Sequence, residues 1–390
     1  MIILYFTVLT CLSIFIFNAR LSMLKNVVFI VATFLSILAF FQEVSKGSDL
    51  NTAFYHLDKI RQLGWNYFNT KDINESMYFS GRDALKVYFY ILSFFPYNNF
   101  YSSISIFFIY YLPLKSTLTV CSFYRTHIKT TKYLLILLIW MIDFFDASNG
   151  VRNMLSFSIF IYALIQELYS VTKQKRFISW GLYIISALIH SSAWILILLR
   201  LLLFLKNKRL YIMAGIVLLI WSYSLEYLTP LLQTISGSIS GSLEHQLNAY
   251  TYNNNTAGNF DTTGFNNQSS YLLMRLFRII HISLFIYMFY LLWDRAKRLS
   301  SLPIFVFLLS TFCIGSAFSN IANNVLTRYS FAMIFLTPIF YTYYNAMPIR
   351  KKEVIGIERF ALGLIIVALL FNYYMFRYHY HYMYFNLQTY

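Results

Sequence analysis

Charged residues are scarce in this chain of 390 residues. They make up 12% of it, about half of the roughly 25% found in soluble globular domains, whereas 58% of the residues are hydrophobic and 20% are aromatic. Apolar runs of about 18–20 residues recur from end to end, and each is long enough to cross a hydrocarbon core of about 30 Å. The scarcity of charge therefore excludes an ordinary soluble protein and predicts an all-α, polytopic bundle of membrane helices.

Cysteine is also scarce, and the usual signatures of soluble enzymes are missing. Cys11, Cys121 and Cys313 lie far apart, within or beside apolar runs, a spacing that indicates packing residues rather than a disulfide framework or a metal site. The sequence contains no P-loop, GxGxxG, HExxH, CxxC or GxSxG pattern, each of which would mark a nucleotide site, a metal site or a nucleophile. We therefore expect neither a metal nor a nucleotide cofactor.

Acidic residues are fewer than basic ones, so the net charge is +16. A basic balance can indicate nucleic acid as a partner, but most lysines and arginines here stand in short loops between apolar runs. Basic residues in short loops mark the cytoplasmic side of a membrane protein. The pattern therefore predicts membrane lipids, and no nucleic acid, as partners.

The order of apolar runs and basic loops predicts about twelve spans, within a range of 11 to 14, with both termini on the outer side. The first run lacks a basic leading segment and a small-residue cleavage site, so we expect a retained span instead of a signal peptide. The spans are predicted near 2–17, 26–41, a third that ends near 114, 132–147, 151–170, 177–189, 191–205, 210–228, 271–293, 302–319, 328–346 and 354–376.

Two longer polar stretches, 42–82 and 229–270, are predicted as outer loops of a single membrane domain over 1–390. The second is rich in Ser, Asn, Gly and Thr, which is typical of an irregular loop. They are the soluble parts large enough to cover a substrate.

Two short helices are predicted near the first outer loop. Asp58, Arg61 and Trp65 can share one helical face, which favours an amphipathic helix at the membrane interface. Pro96 interrupts the next apolar run, so residues 83–95 are predicted as a re-entrant or interfacial helix. Short broken segments at membrane depth are tolerated where they line a cavity.

Arg152 is the most unusual charge, because it stands in the sequence NGVRN at the start of an apolar run. Ionisable groups in or beside spans are costly and are functional candidates by default. A helix N-terminus favours anions, and a guanidinium offers a planar fork of donors that suits phosphate. The alternative interpretation is an interfacial arginine that reaches lipid headgroups or pairs with Asp146.

Other cations fall on the same predicted outer side. Arg275, Arg278 and His281 are spaced by three residues on the ninth predicted span, so they form one stripe along a helix. Arg328 opens the eleventh predicted span much as Arg152 opens the fifth. Several arginines at one depth predict an anion site.

Candidates for proton transfer and for sugar binding also lie on this side. His190 stands where two apolar runs meet, and a histidine can accept a proton near neutral pH; the alternative is a helix-capping histidine. Asp49 follows the second span and is a candidate general base, a sugar-hydroxyl acceptor or a plain loop residue. Asn320, Asn323 and Asn324 are candidates for binding glycan hydroxyls, although asparagine is also common in turns.

Four segments resemble the EpsG-like branch of the Wzy-type bacterial polysaccharide polymerases. They are GSD at 47–49, NGVRNMLSFSIFIYAL at 149–164, ALIHSSAWILIL at 187–198 and LTRYSFAMIF at 326–335. Their order and spacing follow that family over most of the chain. Asn153 stands where the family more commonly has glutamine, which is a small departure.

The resemblance implies a metal-independent membrane glycosyltransferase on the outer face of the bacterial cytoplasmic (inner) membrane, working in O-antigen, capsule or exopolysaccharide biosynthesis. Its substrate would be an undecaprenyl-pyrophosphate-linked oligosaccharide, and it would transfer the growing glycan from its lipid pyrophosphate to the sugar of an incoming unit. Arg152 and Arg328 would hold the pyrophosphate and His190 would lie at the reaction centre, whereas Arg275 and Arg278 come from the charge stripe alone. A flippase and a chain-length regulator would be its partners.

Two alternatives stay open from the sequence. Another lipid-linked glycan transferase, such as an O-antigen ligase or a polyprenyl-phosphate-sugar glycosyltransferase, fits the same lipid substrates, and Asp49 fits the acidic base of the second. A flippase for polysaccharide units predicts inverted repeats and charges at mid-membrane depth, whereas the charges here cluster at one face.

Overall fold

The computed structural model describes residues 2–42, 44, 49–69, 78–79, 81–169, 172–205, 207–239, 268–293, 301–317 and 323–346. All regular elements among these residues are helices, which confirms the predicted all-α class. By its contacts the chain divides into two compact units, Met1–Trp194 with Ile334–Tyr390, and Ile195–Met333. That both belong to one membrane domain over 1–390 stays a prediction.

The first unit is built around α5, Asn99–Phe123, which packs against α2, Leu24–Phe40, and against α8, Val151–Tyr169. Ser36 Oγ on α2 donates to the carbonyl oxygen of Ser103 on α5 at 2.8 Å, and small residues of this kind allow membrane helices to approach closely. The remaining long helices of this unit are α1, Ile2–Asn18, which packs on α6, Ile128–Met141, and α9, Lys173–Ile189, which packs on α8.

A layer of short helices, here called the cap, follows α2. It comprises α3, Asp49–Leu63, a 3₁₀-helix, Gly64–Asn69, residues 78–79, and α4, Asp83–Ser93. The buried residues of α3 recur every three or four positions, the spacing of an amphipathic helix. The helices predicted within 42–82 and at 83–95 are therefore confirmed as helices, and their depth in the membrane stays a prediction.

The cap shares a hydrophobic core with the helix ends beneath it. Leu57 and Phe89 of the cap pack in one cluster with Tyr101 of α5, Val151 of α8 and Ile189 of α9. Val151 precedes Arg152, and Ile189 precedes His190. The cap therefore covers the two helix ends that carry these predicted site residues.

Arg61 ties the far end of α3 to the turn between α4 and α5. Its Nε donates to the carbonyl oxygens of Ser93 at 3.3 Å and Phe95 at 3.2 Å. Its Nη1 donates to Asp58 Oδ1 at 2.8 Å and also to Asn98 Oδ1. These bonds satisfy carbonyl groups that the end of α4 leaves without helical partners, so this end of the cap is firmly attached.

The span predicted at 132–147 is wrong at its outer end. α6 ends at Met141, the backbone is extended at Ile142 (φ −76°, ψ 107°), and a separate short helix, α7, runs over Phe144–Asn149. The break is stabilised because the carbonyl oxygen of Asp143 accepts a hydrogen bond from Ala147 N at 2.9 Å and so starts the new helix. Ser148 of α7 is fully buried, so the segment just before NGVRN is packed inside the protein.

The second unit contains long helices with a close crossing. α11, Lys208–Ile239, packs against α13, Ser301–Ala317, which also packs against α12, Gln268–Trp293. α11 extends through residue 239, so the start of the outer loop predicted at 229–270 is wrong, because the helix continues past Pro230. The boundaries between the two units fall within two helices: α10, Ala193–Leu202, and α14, Asn323–Ala346.

The surface of the described helices is suited to a membrane. Leu21–Phe40 and Asn99–Phe123 are long and apolar enough to cross one, and Phe29, Phe34 and Phe177 are large apolar side chains that lie exposed. Large exposed apolar side chains on apolar helices are suited to contact with lipid. The twelve spans and the orientation of the termini stay predictions, and the last predicted span, 354–376, lies outside the described residues.

The third span was predicted to end near 114, but α5 continues beyond that point and includes Lys115. Its ammonium lies 5.2 Å from the ring centroid of Tyr111 and 5.4 Å from that of Tyr162. The faces of two aromatic rings attract the cation, and α5 continues through this residue to Phe123.

Candidate active site

Arg152 is the second residue of α8. α7 ends at Asn149, Gly150 forms the bend, and Met154 N donates to the carbonyl oxygen of Gly150 at 3.1 Å as the first bond of α8. The first backbone N–H groups of a helix have no partner within it and form the positive end of its dipole. The chain therefore adds a guanidinium to a helix end that already favours an anion.

The cap holds the Arg152 side chain from two directions. Its Cζ lies 4.0 Å from the ring centroid of Tyr78, and its Nη2 lies 3.7 Å from Asp49 Oδ2 at the start of α3. The Asp49 side chain is 67% exposed and that of Arg152 only 17%. A long ion pair with one exposed partner contributes about 0–1 kcal/mol, so replacing Asp49 with another anion costs little.

His56 and Tyr67 pack behind Tyr78. The His56 ring centroid lies 4.1 Å from that of Tyr78, and His56 Nδ1 lies 2.6 Å from the hydroxyl oxygen of Tyr67. Burial, and secondly the charge of Arg152, lower the pKa of His56 from 6.5 to about 4. Burial also raises the pKa of Tyr78 against the opposing effect of Arg152, so at neutral pH both rings are uncharged supports for the guanidinium.

The low pKa of His56 predicts an acid-sensitive cap. An unfolded cap takes up a proton on His56 below pH 6.5, whereas the folded one resists protonation until about pH 4. Stability should therefore fall as the pH is lowered between these values, by about 3 kcal/mol at roughly 1.4 kcal/mol per pH unit. Thermal unfolding of the full chain in detergent, measured across this interval, should show a smaller fall for His56→Gln.

His127 is the matched control, since its side chain caps the start of α6 at an exposed position. His127→Gln should leave the fall between pH 6.5 and pH 4 in place. An identical pH profile for wild type and His56→Gln would contradict the assignment of this fall to His56.

His190 lies at the end of α9 and is 7% exposed. Its Nδ1 lies 2.6 Å from Ser192 Oγ and 3.2 Å from the backbone nitrogen of Ser192, and Ser192 Oγ lies 2.9 Å from Asn153 Oδ1. This chain of contacts joins the α9–α10 hinge to the first turn of α8, directly beside Arg152. Because Ser192 occupies Nδ1, any proton transfer between His190 and a substrate would pass through Nε2.

The structure brings three predicted site residues of the first unit together in this way. Arg152 contacts Asp49 directly, and its neighbour Asn153 connects to His190 through Ser192. Arg152 pairs with Asp49. The alternative interpretation expected Asp146 as its partner, and the side chain of Asp146 lies outside the described residues. The helix-capping interpretation of His190 is confirmed for its backbone, because His190 is the C-cap residue of α9 and its backbone N–H donates to the carbonyl oxygen of Ser186.

The second unit holds Arg278 and Arg328. Arg278 is 6% exposed on α12, and its Cζ lies 5.5 Å from the ring centroid of Phe331 on α14. Phe331 comes three residues after Arg328, so it lies on the same side of α14 as that half-buried arginine. The two cations therefore approach the same turn of α14. The side chain of Arg275 lies outside the described residues.

The prediction that Arg328 opens a helix is wrong. α14 begins at Asn323, so Arg328 lies in its second turn and does not repeat the position of Arg152. Asn323 and Asn324, predicted in an outer loop, form the first helical turn instead, because asparagine is also favoured at helix starts. Their side chains and all of Asn320 lie outside the described residues.

Comparison with known proteins assigns the family. The model of the EpsG family matches residues 25–390, nearly the whole chain. The chain belongs to the EpsG family. No curated protein and no solved structure gives a match. Membership confirms the resemblance seen in the sequence and indicates a membrane protein with a glycosyltransferase-like function of the polysaccharide polymerase type.

Sequence reasoning missed three residues around Arg152 of this EpsG protein. His56, Tyr67 and Tyr78 all lie in the predicted outer loop, where each was one aromatic residue among many. The spacing of His56 with Leu50, Ala53, Leu57 and Ile60 on one face of α3 was the available signal, because a histidine on the buried face of an amphipathic helix needs a partner.

Proposed function

We propose that the protein polymerises undecaprenyl-pyrophosphate-linked oligosaccharide repeat units on the outer face of the cytoplasmic membrane. The observation that carries the proposal is the setting of Arg152: a cation at a helix N-terminus, stacked on Tyr78 and 3.7 Å from Asp49. A guanidinium at the positive end of a helix forms a site for a phosphate group. Membership of the EpsG family supports glycan polymerisation as the use of that site.

In the proposed reaction the bond between the anomeric carbon of the growing glycan and its pyrophosphate oxygen breaks. The electron pair goes to that oxygen, and the negative charge that develops there is stabilised by Arg152 and the α8 N-terminus. A hydroxyl of the terminal sugar on the incoming unit forms the new bond to the anomeric carbon and gives its proton to a base. The products are a lengthened glycan on the incoming lipid and free undecaprenyl pyrophosphate.

Two groups of the first unit are proposed for the proton transfer. Asp49 presents an exposed carboxylate 3.7 Å from Arg152, and departure of that carboxylate toward the acceptor hydroxyl would leave the cation to the pyrophosphate. His190 would act through Nε2, with Nδ1 held by Ser192. We assign Asp49 as the base, because its carboxylate is exposed, and His190 to positioning the acceptor, because its ring is held by Ser192.

The cations of the second unit are proposed to bind the other lipid-linked unit. Arg278 and Arg328 approach the same turn of α14, and Arg275 lies one turn before Arg278 on α12. Two pyrophosphates take part in each transfer, and each requires compensating positive charge. Asn320, Asn323 and Asn324 remain proposed contacts of the glycan, and a flippase and a chain-length regulator remain proposed partners.

The direct test uses purified full-length protein and one lipid-linked repeat unit, with no nucleotide sugar added. Polymerisation produces a ladder of products that differ by one repeat unit, together with free undecaprenyl pyrophosphate. A single addition to a different acceptor would indicate a ligase, and movement of unchanged substrate across vesicles would indicate a flippase. Either result would overturn the proposal.

The exposed carboxylate of Asp49 specifically favours one other function. Enzymes that use a polyprenyl-phosphate sugar need an acidic base at the outer face, and Asp49 stands at the start of the cap beside a cation. A monophosphate donor then replaces the pyrophosphate donor. Supplying each donor separately to the purified protein and measuring which one is consumed distinguishes the two.

A further inference from the structure

A cavity lies at the end of the first unit away from Arg152. It has a volume of about 370 Å³ and is formed by the segment before α2, the end of α5 and the start of α6. Tyr101, beside the Arg152 site, and Ser122, which lines the cavity, are both on α5. At 1.5 Å per residue they are about 30 Å apart, the thickness of a hydrocarbon core. This separation predicts that the two sites lie at opposite membrane faces.

The cavity has a basic rim and an apolar wall. Lys25 and Arg125 line it together with the hydroxyl-bearing Ser122 and Thr126, whereas Leu24 and Leu118 provide the wall. Both cations are exposed, and within the described part of the chain neither has a carboxylate partner. Phosphate oxygens suit such cations and hydroxyl groups, and an alkyl chain suits the leucines.

Arg125 is held in an unusual backbone conformation at this rim. Its φ is +51°, in the left-handed region that favours glycine. The turn is a Schellman motif, since Thr126 N donates to the carbonyl oxygen of Cys121 at 2.9 Å and Arg125 N to that of Ser122 at 3.2 Å. Glycine would adopt this conformation with less strain. The charge of Arg125 suits both the negative end of the α5 dipole and an anion at the cavity.

The surroundings of the cavity favour a lipid over a soluble phosphate compound. Leu21 in its wall is 63% exposed, and Met23 and Phe123 beside it are also exposed apolar side chains. Apolar surface thus continues from the cavity onto the outside of the helices, where acyl chains lie. The volume falls within the usual range of about 300–1,000 Å³ for ligand pockets.

We propose that this cavity binds the phosphate headgroup of an anionic phospholipid in the leaflet opposite the Arg152 site. The loop charges predict this leaflet to be the cytoplasmic one. Lys25 and Arg125 contact the phosphate, and the first methylene groups of the lipid lie on Leu24 and Leu118. The site is independent of the polymerase reaction and takes a different lipid from the opposite side.

The test is native mass spectrometry of the full chain released from detergent, with phosphatidylglycerol, phosphatidylcholine or inorganic phosphate added. Phosphatidylglycerol should bind best, and Lys25→Gln/Arg125→Asn should weaken it by about tenfold to thirtyfold, because each cation contributes to attraction of an anionic lipid. Asparagine tolerates the left-handed conformation, so this variant keeps the turn. Lys175→Gln/Arg176→Gln is the matched control, because it removes two exposed charges outside the cavity.

Arg125→Gly should change thermal stability and lipid binding in opposite directions. It relieves the left-handed arginine, so Tm measured without added lipid should rise by about 2 °C, while phosphatidylglycerol binding weakens. Equal weakening in the Lys175/Arg176 control, equal binding of phosphatidylcholine, or tighter binding of inorganic phosphate than of phosphatidylglycerol would each overturn the proposal.

Discussion

Arg152→Ala should reduce the rate of glycan polymerisation by about 10²–10³-fold, because loss of a positioned donor to a developing anion costs that much in other enzymes. Arg152→Lys keeps the charge but loses the planar fork and the stacking on Tyr78, so its rate should fall less, by about tenfold. The measurement is the initial rate of ladder formation from a lipid-linked repeat unit by purified protein.

Arg176→Ala is the control for general loss of positive charge. Arg176 is exposed in the first turn of α9, in the same unit as Arg152, and the variant should polymerise at the wild-type rate. Unchanged Tm in all three variants would show that the fold is intact. Wild-type activity in correctly folded Arg152→Ala would remove Arg152 from the proposed site.

Gly315→Ala should destabilise the second unit by about 1–3 kcal/mol, the effect of forcing an extra carbon into a packed contact. A Cβ at this position of α13 would overlap Ser222 Oγ and the Leu219 carbonyl oxygen of α11, and it would lie 3.0 Å from the Leu219 carbonyl carbon. Backbone atoms of a helix cannot turn aside as a side chain does. Lower Tm in detergent and a lower yield of folded protein in membranes are the expected results.

Gly181→Ala is the matched control, because Gly181 lies in α9 and a Cβ there would have no neighbour within 4 Å. Alanine is the better helix former, so this variant should be more stable by about 0.5–1 kcal/mol. The same Gly→Ala substitution is thus expected to lower stability in α13 and to raise it in α9. A neutral Gly315→Ala would mean that α11 and α13 do not approach each other this closely.

The placement of Arg152 could be predicted because it depends on local sequence. Gly150 followed by a sustained apolar run predicts a helix start, and α8 runs over Val151–Tyr169 where the span 151–170 was expected. The cap helices follow from similar local signals, the spacing of apolar residues in α3 and the interruption by Pro96 after α4.

The surroundings of Arg152 could not be predicted, because they depend on contacts between distant parts of the chain. Asp49 and Tyr78 reach the guanidinium only when the cap folds back over α8. The predicted start of the helix at Arg328 was wrong for a different reason. Asparagines favour both turns and helix starts, so Asn323 and Asn324 are compatible with either. The break in the helix at Ile142 could not be predicted, because the apolar residues of α6 continue through it without a Gly or Pro.

Asp49 pairs with Arg152 from an anchored helix. Leu50 and Ala53, which follow it on α3, are buried in the core that the cap shares with α8 and α9, and Arg61 attaches the other end of α3 to the turn before α5. In the proposed reaction, a pyrophosphate that replaces Asp49 on Arg152 therefore requires only the Asp49 side chain to turn away, while the helix stays in place. The Arg152 site then works as an anion exchanger in a fixed frame, in which one negative charge leaves as another arrives.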